Sequence, residues 1–375
     1  MEDLEPTPRT VVITGAGAGI GRACVAAFAA RGDRLALIAR GRAGLDAAEH
    51  EARLAGAAEV LTVETDIADA QAVERAARLT EEELGPIDVW VNTAFASGLA
   101  PFTGTTPEEF RRVTEVGYLG YVFATRAALA RMLPRDNGVV VQVGSALAHR
   151  GVPLRSACSG AEHAVQGFNE ALRCELLASG TRVRTTTVQM PAGNTPRFDP
   201  VRSRLPDPAQ PVPPIHRPEE AARAVLFAAD HPKRREHRVG AGTVAGRVAN
   251  AVAPGLLDRY LARTGYSARP ARTGYSARPD GRGRRTGDPD KRFAPVRAGR
   301  DFGTYDRFDD RFDDRARDRS FRRRASRTLG GVAGGVRRAA GRVAAGALSR
   351  IRRACAPRRP PGTEGVTMPP STAPD

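Results

Sequence analysis

Cysteine is scarce in this chain of 375 residues, which has only Cys24, Cys158, Cys174 and Cys355. Their spacing fits neither a disulfide framework nor a zinc site, so no metal site is predicted. No stretch offers about 18 uninterrupted apolar residues, the length that a membrane-spanning helix needs. The first residues are acidic and lack the basic start and apolar run of a signal peptide. These absences argue against secreted and membrane-spanning proteins, and we expect a cytoplasmic one.

Lysine is almost absent, since the chain has Lys233 and Lys291 against 56 arginines. The excess of positive charge is confined to the C-terminal part. Residues 1–260 hold 30 basic and 30 acidic side chains, whereas residues 261–375 hold 28 basic and 12 acidic ones. The formal net charge of +16 therefore comes from the last third. This distribution disfavours nucleic-acid binding by the whole fold and directs any electrostatic partner to the C-terminal extension.

Residues 9–240 alternate short β-branched runs with longer Ala-rich amphipathic runs. Several of the short runs are apolar on both faces, as the strands of a buried parallel sheet are. The alternation predicts an α/β fold with a doubly wound parallel (Rossmann) sheet and helices on both faces. The predicted strands are Thr10–Thr14, Arg34–Ala39, Glu59–Thr65, Val89–Ala94, Val139–Gly144 and Arg182–Gln189. The predicted helices cover residues 19–30, 43–55, 68–84, 107–132, 156–178 and 218–230.

Composition divides the chain further. The sheet domain is predicted over residues 7–260, and a linker follows over 261–325, where a nine-residue sequence starting at Ala262 is repeated at once. Because a folded core rarely accepts such an insertion, the repeat favours disorder. Residues 326–356 form a basic amphipathic segment with six glycines, and residues 357–375 a Pro-rich tail. The basic segment suits an anionic membrane surface or an acidic partner, and a solvated disordered tail is the alternative.

A glycine-rich sequence follows the first predicted strand and opens the first helix. It reads Thr14-Gly15-Ala16-Gly17-Ala18-Gly19-Ile20-Gly21. Gly15, Gly19 and Gly21 let the backbone turn tightly and approach a pyrophosphate, whose charge the helix N-terminus stabilises. The strand–turn–helix context therefore predicts a dinucleotide site that includes Ile20.

The end of the second strand bears on the choice of cofactor. It reads Ile38-Ala39-Arg40-Gly41-Arg42, with no carboxylate where an NAD-selective site would place one on the ribose 2′-hydroxyl. Arg40 is able to pair with a 2′-phosphate. NADP(H) is therefore favoured over NAD(H), and an ordinary solvated charge at Arg40 is the alternative.

These features, in this order, resemble the short-chain dehydrogenase/reductase family over about residues 9–265. The resemblance implies that Asp66 and Ile67 contact the adenine and that Asn92-Thr93-Ala94-Phe95 takes the place of an Asn-Asn-Ala-Gly strand end. It assigns Asn92 and Ala94 to cofactor binding. In Pro191-Ala192-Gly193-Asn194-Thr195 it implies that the threonine meets the nicotinamide carboxamide. Ser145 takes the place of the catalytic serine, and the family suggests homodimers or homotetramers.

The departures from the family concern proton transfer. In the family a tyrosine supplies the hydroxyl proton, and a lysine four residues later lowers the pKa of that tyrosine. Here Cys158 stands in place of the tyrosine, Glu162 in place of the lysine, and Gly117 in place of a relay asparagine. No shift of register restores the pair, because neither lysine of the chain lies four residues after a tyrosine.

Three functions stay open on the sequence. The favoured interpretation is an NADP(H)-binding oxidoreductase-like protein that is impaired in the usual hydride and proton transfer. The second is an active reductase or dehydrogenase of a carbonyl or alcohol, with a non-standard proton donor such as Tyr121, His149 or His163. The third is a membrane-surface or scaffold protein that presents the basic tail. The substrate and the direction of hydride transfer are not predicted.

Overall fold

A computed structural model describes residues 7–190, 202–203 and 216–264 of the chain. Predictions for Pro191, for Thr195 and for the extension after Thr264 lie outside these residues. The predicted linker of residues 261–325 overlaps the described part only at 261–264, which are helical.

Seven strands form one parallel sheet in the order β3-β2-β1-β4-β6-β7-β9. The strands β5 and β8 are two residues long and pair with each other. The strands within the described residues are β1 Thr10–Thr14, β2 Arg34–Ala39, β3 Glu59–Glu64, β4 Ile87–Asn92, β5 Gly98–Leu99, β6 Val139–Ser145, β7 Arg184–Met190, β8 Arg202–Ser203 and β9 Glu236–Arg238.

Helices lie on both faces of the sheet. The helices are α1 Gly19–Ala29, α2 Arg42–Leu54, α3 Ala70–Leu84, α4 Pro107–Thr114, α5 Gly120–Met132, α6 Ser156–Ala178, α7 Pro218–Asp230, α8 Ala241–Val252 and α9 Pro254–Thr264. A wide π-helical turn at Glu115–Leu119 joins α4 to α5. Short 3-10 turns occupy Phe102–Gly104 and Ala146–Ala148.

Alternation along the strands produces two cores. Val11 and Ile13 of β1 point to the face that α1 and α7 cover, where they pack with Phe28. Val12, between them, points to the opposite face and packs with Trp90 of β4. Successive side chains of a strand alternate between the two faces, so a strand buried on both sides is apolar throughout.

The predicted doubly wound fold is confirmed, and every predicted strand starts and ends within two residues of its observed limits. The predicted helix over 107–132 exists as α4, the π-helical turn and α5 in succession. The short strand β9 and the helices α8 and α9 were not predicted. For β9 the reason is that it spans only three residues and carries no apolar run.

Candidate functional site

The predicted site residues lie along one edge of the sheet, because parallel strands present their carboxyl ends together. The glycine-rich turn follows β1, Arg40 follows β2, Asp66 follows β3 and Ala94 follows β4. Ser145 is the last residue of β6. Ligands of doubly wound sheets bind beyond this edge, at the point where the strand order reverses, which lies between β1 and β4.

The glycine-rich turn is packed too tightly for side chains. Gly15 has a φ of +71°, and a Cβ on it would lie 2.8 Å from the Cα of Ala94. A Cβ on Gly21 would lie 2.2 Å from the carbonyl oxygen of Gly15. Helix α1 begins at Gly19, with no side-chain cap and no acidic residue in its first turn. The free amide groups and positive end of this helix are therefore suited to a diphosphate.

Arg40 has charged neighbours that the sequence did not reveal. Arg112 of α4 forms an ion pair with Asp66 and also lies 3.8 Å from Glu115. The other carboxylate oxygen of Asp66 accepts a hydrogen bond from the Ala68 amide at 3.0 Å. Burial lowers the pKa of Arg40 below its ordinary value, the charge of Arg112 lowers it further, and Asp66 opposes both effects. An anionic group placed beside Arg40 would act in the same direction as Asp66, because it favours the charged guanidinium.

Two of the predicted cofactor residues have their side chains in the core instead of at the edge. Ile67 is buried and packs against Gly120; a Cβ on Gly120 would lie 2.5 Å from the Cδ1 atom of Ile67. Asn92 is fully buried: its Nδ2 atom donates to Gln142 at 2.9 Å and Thr125 at 3.3 Å. Its Oδ1 atom accepts from Trp90 at 3.0 Å. Because the Asn92 amide is engaged in this network, its side chain stabilises the sheet rather than facing a cofactor.

Ala94 and Ile20 both lie beside the glycine-rich turn. The backbone of Ala94 lies against Gly15, and the partly buried Ile20 side chain packs against the core. Thr93 was not predicted. Its hydroxyl donates to the carbonyl oxygen of Thr14, and its amide donates to the Thr14 hydroxyl at 3.2 Å. Thr93 thereby joins the ends of β1 and β4 behind the turn.

Glu162 reaches the end of β6 from helix α6. It is buried, and its Oε2 atom accepts a hydrogen bond from the Ser145 amide at 3.0 Å. The Ser145 hydroxyl accepts from the Leu147 amide at 3.3 Å and so caps the short turn that follows. Ser145 is half-buried at the predicted position. The carboxylate that stands in place of the lysine therefore holds the backbone beside the predicted catalytic serine.

Cys158 is sealed from solvent, with an exposed fraction of 0%. It forms a small apolar cluster with Val113 and Ala157, and Phe95 packs against this cluster. The Cys158 thiol lies 3.5 Å from the Ser97 hydroxyl and donates to the Gly98 carbonyl at 3.9 Å. A thiol enclosed in this way has no path to a substrate carbonyl in the conformation described.

Gly117 lies in the π-helical turn and faces Ala161 of helix α6. A Cβ on Gly117 would lie 3.3 Å from the Cβ of Ala161, the residue before Glu162. Such a contact is tighter than most, so a longer side chain at 117 requires the turn or the helix to move. An asparagine at 117 would therefore require the π-helical turn and helix α6 to lie farther apart.

The three alternative proton donors are all engaged elsewhere. Tyr121 is buried and donates to the Val143 carbonyl at 2.9 Å. The His149 Nε2 atom lies 3.2 Å from Glu236, beyond the end of β6. His163 is exposed and its Nδ1 atom bonds the Ser159 carbonyl at 2.8 Å. Each of these three side chains therefore has a hydrogen-bond partner other than Ser145, and none is described in contact with the predicted catalytic serine.

The family model of the short-chain dehydrogenases matches residues 9–205, which is more than half of the chain. The protein belongs to the short-chain dehydrogenase/reductase family. The match covers the glycine-rich turn, Asp66, Ser145 and the segment of Cys158 and Glu162. The resemblance inferred from the motifs is confirmed.

Relatives of this short-chain dehydrogenase/reductase are oxidoreductases by name. The uncharacterized oxidoreductase YxnA of Bacillus subtilis (strain 168) is 31% identical over 265 residues, which are 70% of this chain and 74% of YxnA. Dehydrogenase/reductase SDR family member 7B of Bos taurus is 37% identical over 171 residues, 44% of this chain and 53% of the bovine protein. The chain thus spans about half the length of the bovine relative.

A solved structure supports the same assignment. An alcohol dehydrogenase from the archaeon Thermococcus sibiricus, in complex with 5-hydroxy-NADP, matches with a TM-score of 0.54 and 26% identity. The match covers 62% of this chain and 94% of that one. The fold of this short-chain dehydrogenase/reductase is one that binds a nicotinamide dinucleotide.

Two further findings concern the described part of the short-chain dehydrogenase/reductase chain. In residues 7–190, 202–203 and 216–264, no group of three or more His, Cys, Asp or Glu side chains is placed to hold a metal ion. None of the helices in these ranges combines the length and apolar character that crossing a bilayer requires.

Proposed function

We propose that the chain is an NADP(H)-binding oxidoreductase-family protein that lacks the tyrosine–lysine proton transfer of its relatives. The observation that carries the proposal is the complete burial of Cys158 beneath Phe95, at the position where the family has its tyrosine. The nucleotide half of the site is kept in this proposal, and the proton-transfer half is lost.

The nucleotide half of the site fits NADP(H). Gly15 and Gly21 admit the diphosphate to the uncapped start of α1, where side chains would collide with backbone. Arg40 is the residue that would meet a 2′-phosphate, and the nearby Arg112 is paired with Asp66. The cofactor, when bound, supplies or accepts a hydride. Side-chain contacts of this kind favour the 2′-phosphate over a free 2′-hydroxyl by charge.

The proton-transfer half fails on geometry first. A cysteine at 158 is shorter than a tyrosine by most of a ring, and its thiol points to Ser97 and Gly98 inside the fold. Glu162 cannot replace a lysine, because a carboxylate does not attract a phosphate. Its Oε2 atom also already accepts a hydrogen bond from the Ser145 amide. Loss of the general acid and its positioned charge costs on the order of 10²–10⁴ in rate.

A large side chain at 95 and a small one at 158 reverse the sizes that the family has at these two positions. The family strand end has glycine where this chain has Phe95, and the family has tyrosine where this chain has Cys158. Because Phe95 packs on Cys158, a large side chain at 95 takes up room beside a small one at 158. Restoring the tyrosine alone would overfill the cluster, so any test of restored activity must also remove the ring of Phe95.

The experiment compares the natural chain with the triple variant Phe95→Gly, Cys158→Tyr and Glu162→Lys. Both are titrated with NADPH and NADH by fluorescence and assayed with a panel of aldehydes and ketones. The natural chain is expected to bind NADPH without appreciable turnover, and the triple variant to gain turnover that Ser145→Ala then removes. Robust turnover by the natural chain would overturn the impaired-enzyme proposal. It would favour the alternative, an active enzyme with a non-standard proton donor.

The cofactor preference has its own control. Arg40→Ala is expected to weaken NADPH binding about tenfold or more and to leave NADH binding almost unchanged, because the lost contact is to the phosphate. Arg111→Ala, an exposed arginine next to Arg112, is the matched control. Equal losses for the two cofactors in Arg40→Ala would contradict the assignment. The oligomeric state and the partner of the basic extension stay predictions.

A further inference from the structure

The proposed function does not account for an exposed aromatic ring in the turn that follows β5. Phe102 lies in this 3-10 turn and is 69% exposed. Its ring meets the ring of Phe110 of α4 edge to face, with the centroids 6.5 Å apart and the planes at 89°. Single apolar side chains are common on protein surfaces, so the neighbours of this pair decide whether it belongs to a binding site.

Phe110 connects the exposed ring to the part of the site that holds the predicted catalytic serine. The Phe110 side chain packs against the apolar cluster that contains Cys158. Leu147 packs against the same cluster from the turn that follows Ser145, and Phe95 does so from the segment after β4. The four side chains therefore form one connected apolar set. We refer to this set as the apolar wall, which consists of Phe95, Phe102, Phe110 and Leu147.

Helix α4 places the apolar wall at the carboxyl edge of the sheet. Arg112 of this helix pairs with Asp66, which follows β3. Phe110, two residues earlier, contacts the cluster that α6 contributes to at the serine end of the site. The Glu109 carboxylate accepts a hydrogen bond from the Thr106 amide at 2.9 Å in the capping box of α4. These two charged side chains of α4 therefore already hold other partners.

Charged side chains are absent from the segments that carry the other three members of the apolar wall. Residues 93–106 and 144–148 contain no Asp, Glu, Lys or Arg, although 27% of the residues of the chain are charged. An ion enclosed without a counter-charge loses its hydration at a large cost in free energy, so these segments favour a neutral ligand. The Ser145 hydroxyl accepts a hydrogen bond from the Leu147 amide, and its own O–H group is a donor for a neutral oxygen.

We propose that the apolar wall binds the ring of a neutral aryl ketone or aryl alcohol, and that Phe102 determines this specificity. The inference rests on the proposed function, because it takes the Ser145 end of the cofactor site as the place of the substrate oxygen. Edge-to-face and stacked contacts favour an aromatic ligand over an aliphatic chain. Binding also removes the exposed Phe102 ring from water. Because the proposed function lacks proton transfer, the ligand is expected to bind without turnover.

The test measures the binding of acetophenone, a neutral aryl ketone, to the full chain by ligand-detected NMR, with and without saturating NADPH. Two matched probes change one property each: para-acetylbenzoate adds a negative charge, and dihydroxyacetone keeps the ketone without the ring. Phe102→Ala removes the exposed ring, and Phe102→Tyr keeps it. The control is Phe227→Ala, which removes a half-exposed ring from α7. Thermal melting verifies that every variant is folded.

The natural chain, Phe102→Tyr and the control are expected to bind acetophenone equally. Phe102→Ala should bind it at least about fivefold more weakly, because the ligand loses its contact with the exposed ring. The natural chain should bind each of the other two probes at least about fivefold more weakly than acetophenone. Equal binding of acetophenone by Phe102→Ala would overturn the inference, as would equal affinity of the natural chain for para-acetylbenzoate.

The two proposals fail in different ways. A natural chain that binds NADPH but not acetophenone would overturn this inference alone. A natural chain that binds acetophenone through Phe102 but does not bind NADPH would contradict the proposed function and support the site for the ring. A natural dimer that Phe102→Ala converts to a monomer, seen by light scattering, would overturn the inference in favour of self-association through the apolar wall.

Discussion

Replacing Cys158 by tyrosine in the natural chain is expected to destabilise the fold, because the added ring has no space. Cys158 is fully buried and touches a cluster that Phe95, Phe110 and Leu147 close from outside. Overpacking a well-filled core costs about 1–3 kcal/mol, and a change as large as cysteine to tyrosine belongs at the upper end. The free energy of unfolding should therefore fall by about 3 kcal/mol.

Removal of the neighbouring ring should cost less when the tyrosine is present. Phe95→Ala in the natural chain loses the contacts of a half-buried ring, about 1–2 kcal/mol. Alanine is used because it removes the ring without the added backbone freedom of glycine. The protein that carries both Phe95→Ala and Cys158→Tyr should lose at least about 1 kcal/mol less than the sum of the two single changes, because the new ring occupies the space that the old one leaves.

The assay is urea unfolding of the four proteins of this cycle, with free energies taken by linear extrapolation. A second cycle pairs Cys158→Tyr with Phe227→Ala, a half-exposed phenylalanine on α7. The second pair should be additive, since distant sites act independently. If the losses of unfolding free energy in the first cycle are additive, the Phe95 ring does not occupy the space that a tyrosine at 158 needs, and the reasoning is refuted.

Three other outcomes are expected from the glycine-rich turn, the Asn92 network and Glu236. Gly21→Ala should lower NADPH affinity more than about tenfold in a titration, because its Cβ would lie 2.2 Å from the Gly15 carbonyl oxygen; unchanged affinity would contradict the role of the turn. Asn92→Ala should cost about 2–4 kcal/mol in urea unfolding and leave NADPH affinity intact, because it strips hydrogen bonds from Gln142 and its neighbours; a loss of affinity without a loss of stability would place the side chain at the cofactor instead. Although burial raises the pKa of Glu236, hydrogen bonds from its basic partners lower it from 4.5 to about 2, so the natural chain should lose stability as the pH falls from 4.5 to about 2. Glu236→Gln should lack that loss in pH-dependent melting, and an unaltered profile would contradict the assignment.

The sequence alone determined the sheet, the predicted dinucleotide site and the absence of the family's tyrosine–lysine pair. Runs apolar on both faces, such as Val11–Ile13, specify a buried parallel strand by local pattern. The glycines of the turn and the absence of a carboxylate at Arg40 are likewise local, because backbone geometry and charge there depend on few neighbours. The near absence of lysine excluded the family pair by counting alone.

Only the tertiary structure decided which side chains meet. Arg112 reaches Asp66 from 46 residues away, and Asn92 turns into the core to join Gln142, 50 residues further on. No periodicity within a helix or strand reports such pairs, because they depend on how separate elements pack. The same holds for Phe95 and Cys158, whose contact shows why the missing tyrosine cannot simply be replaced: its space is filled from another part of the chain.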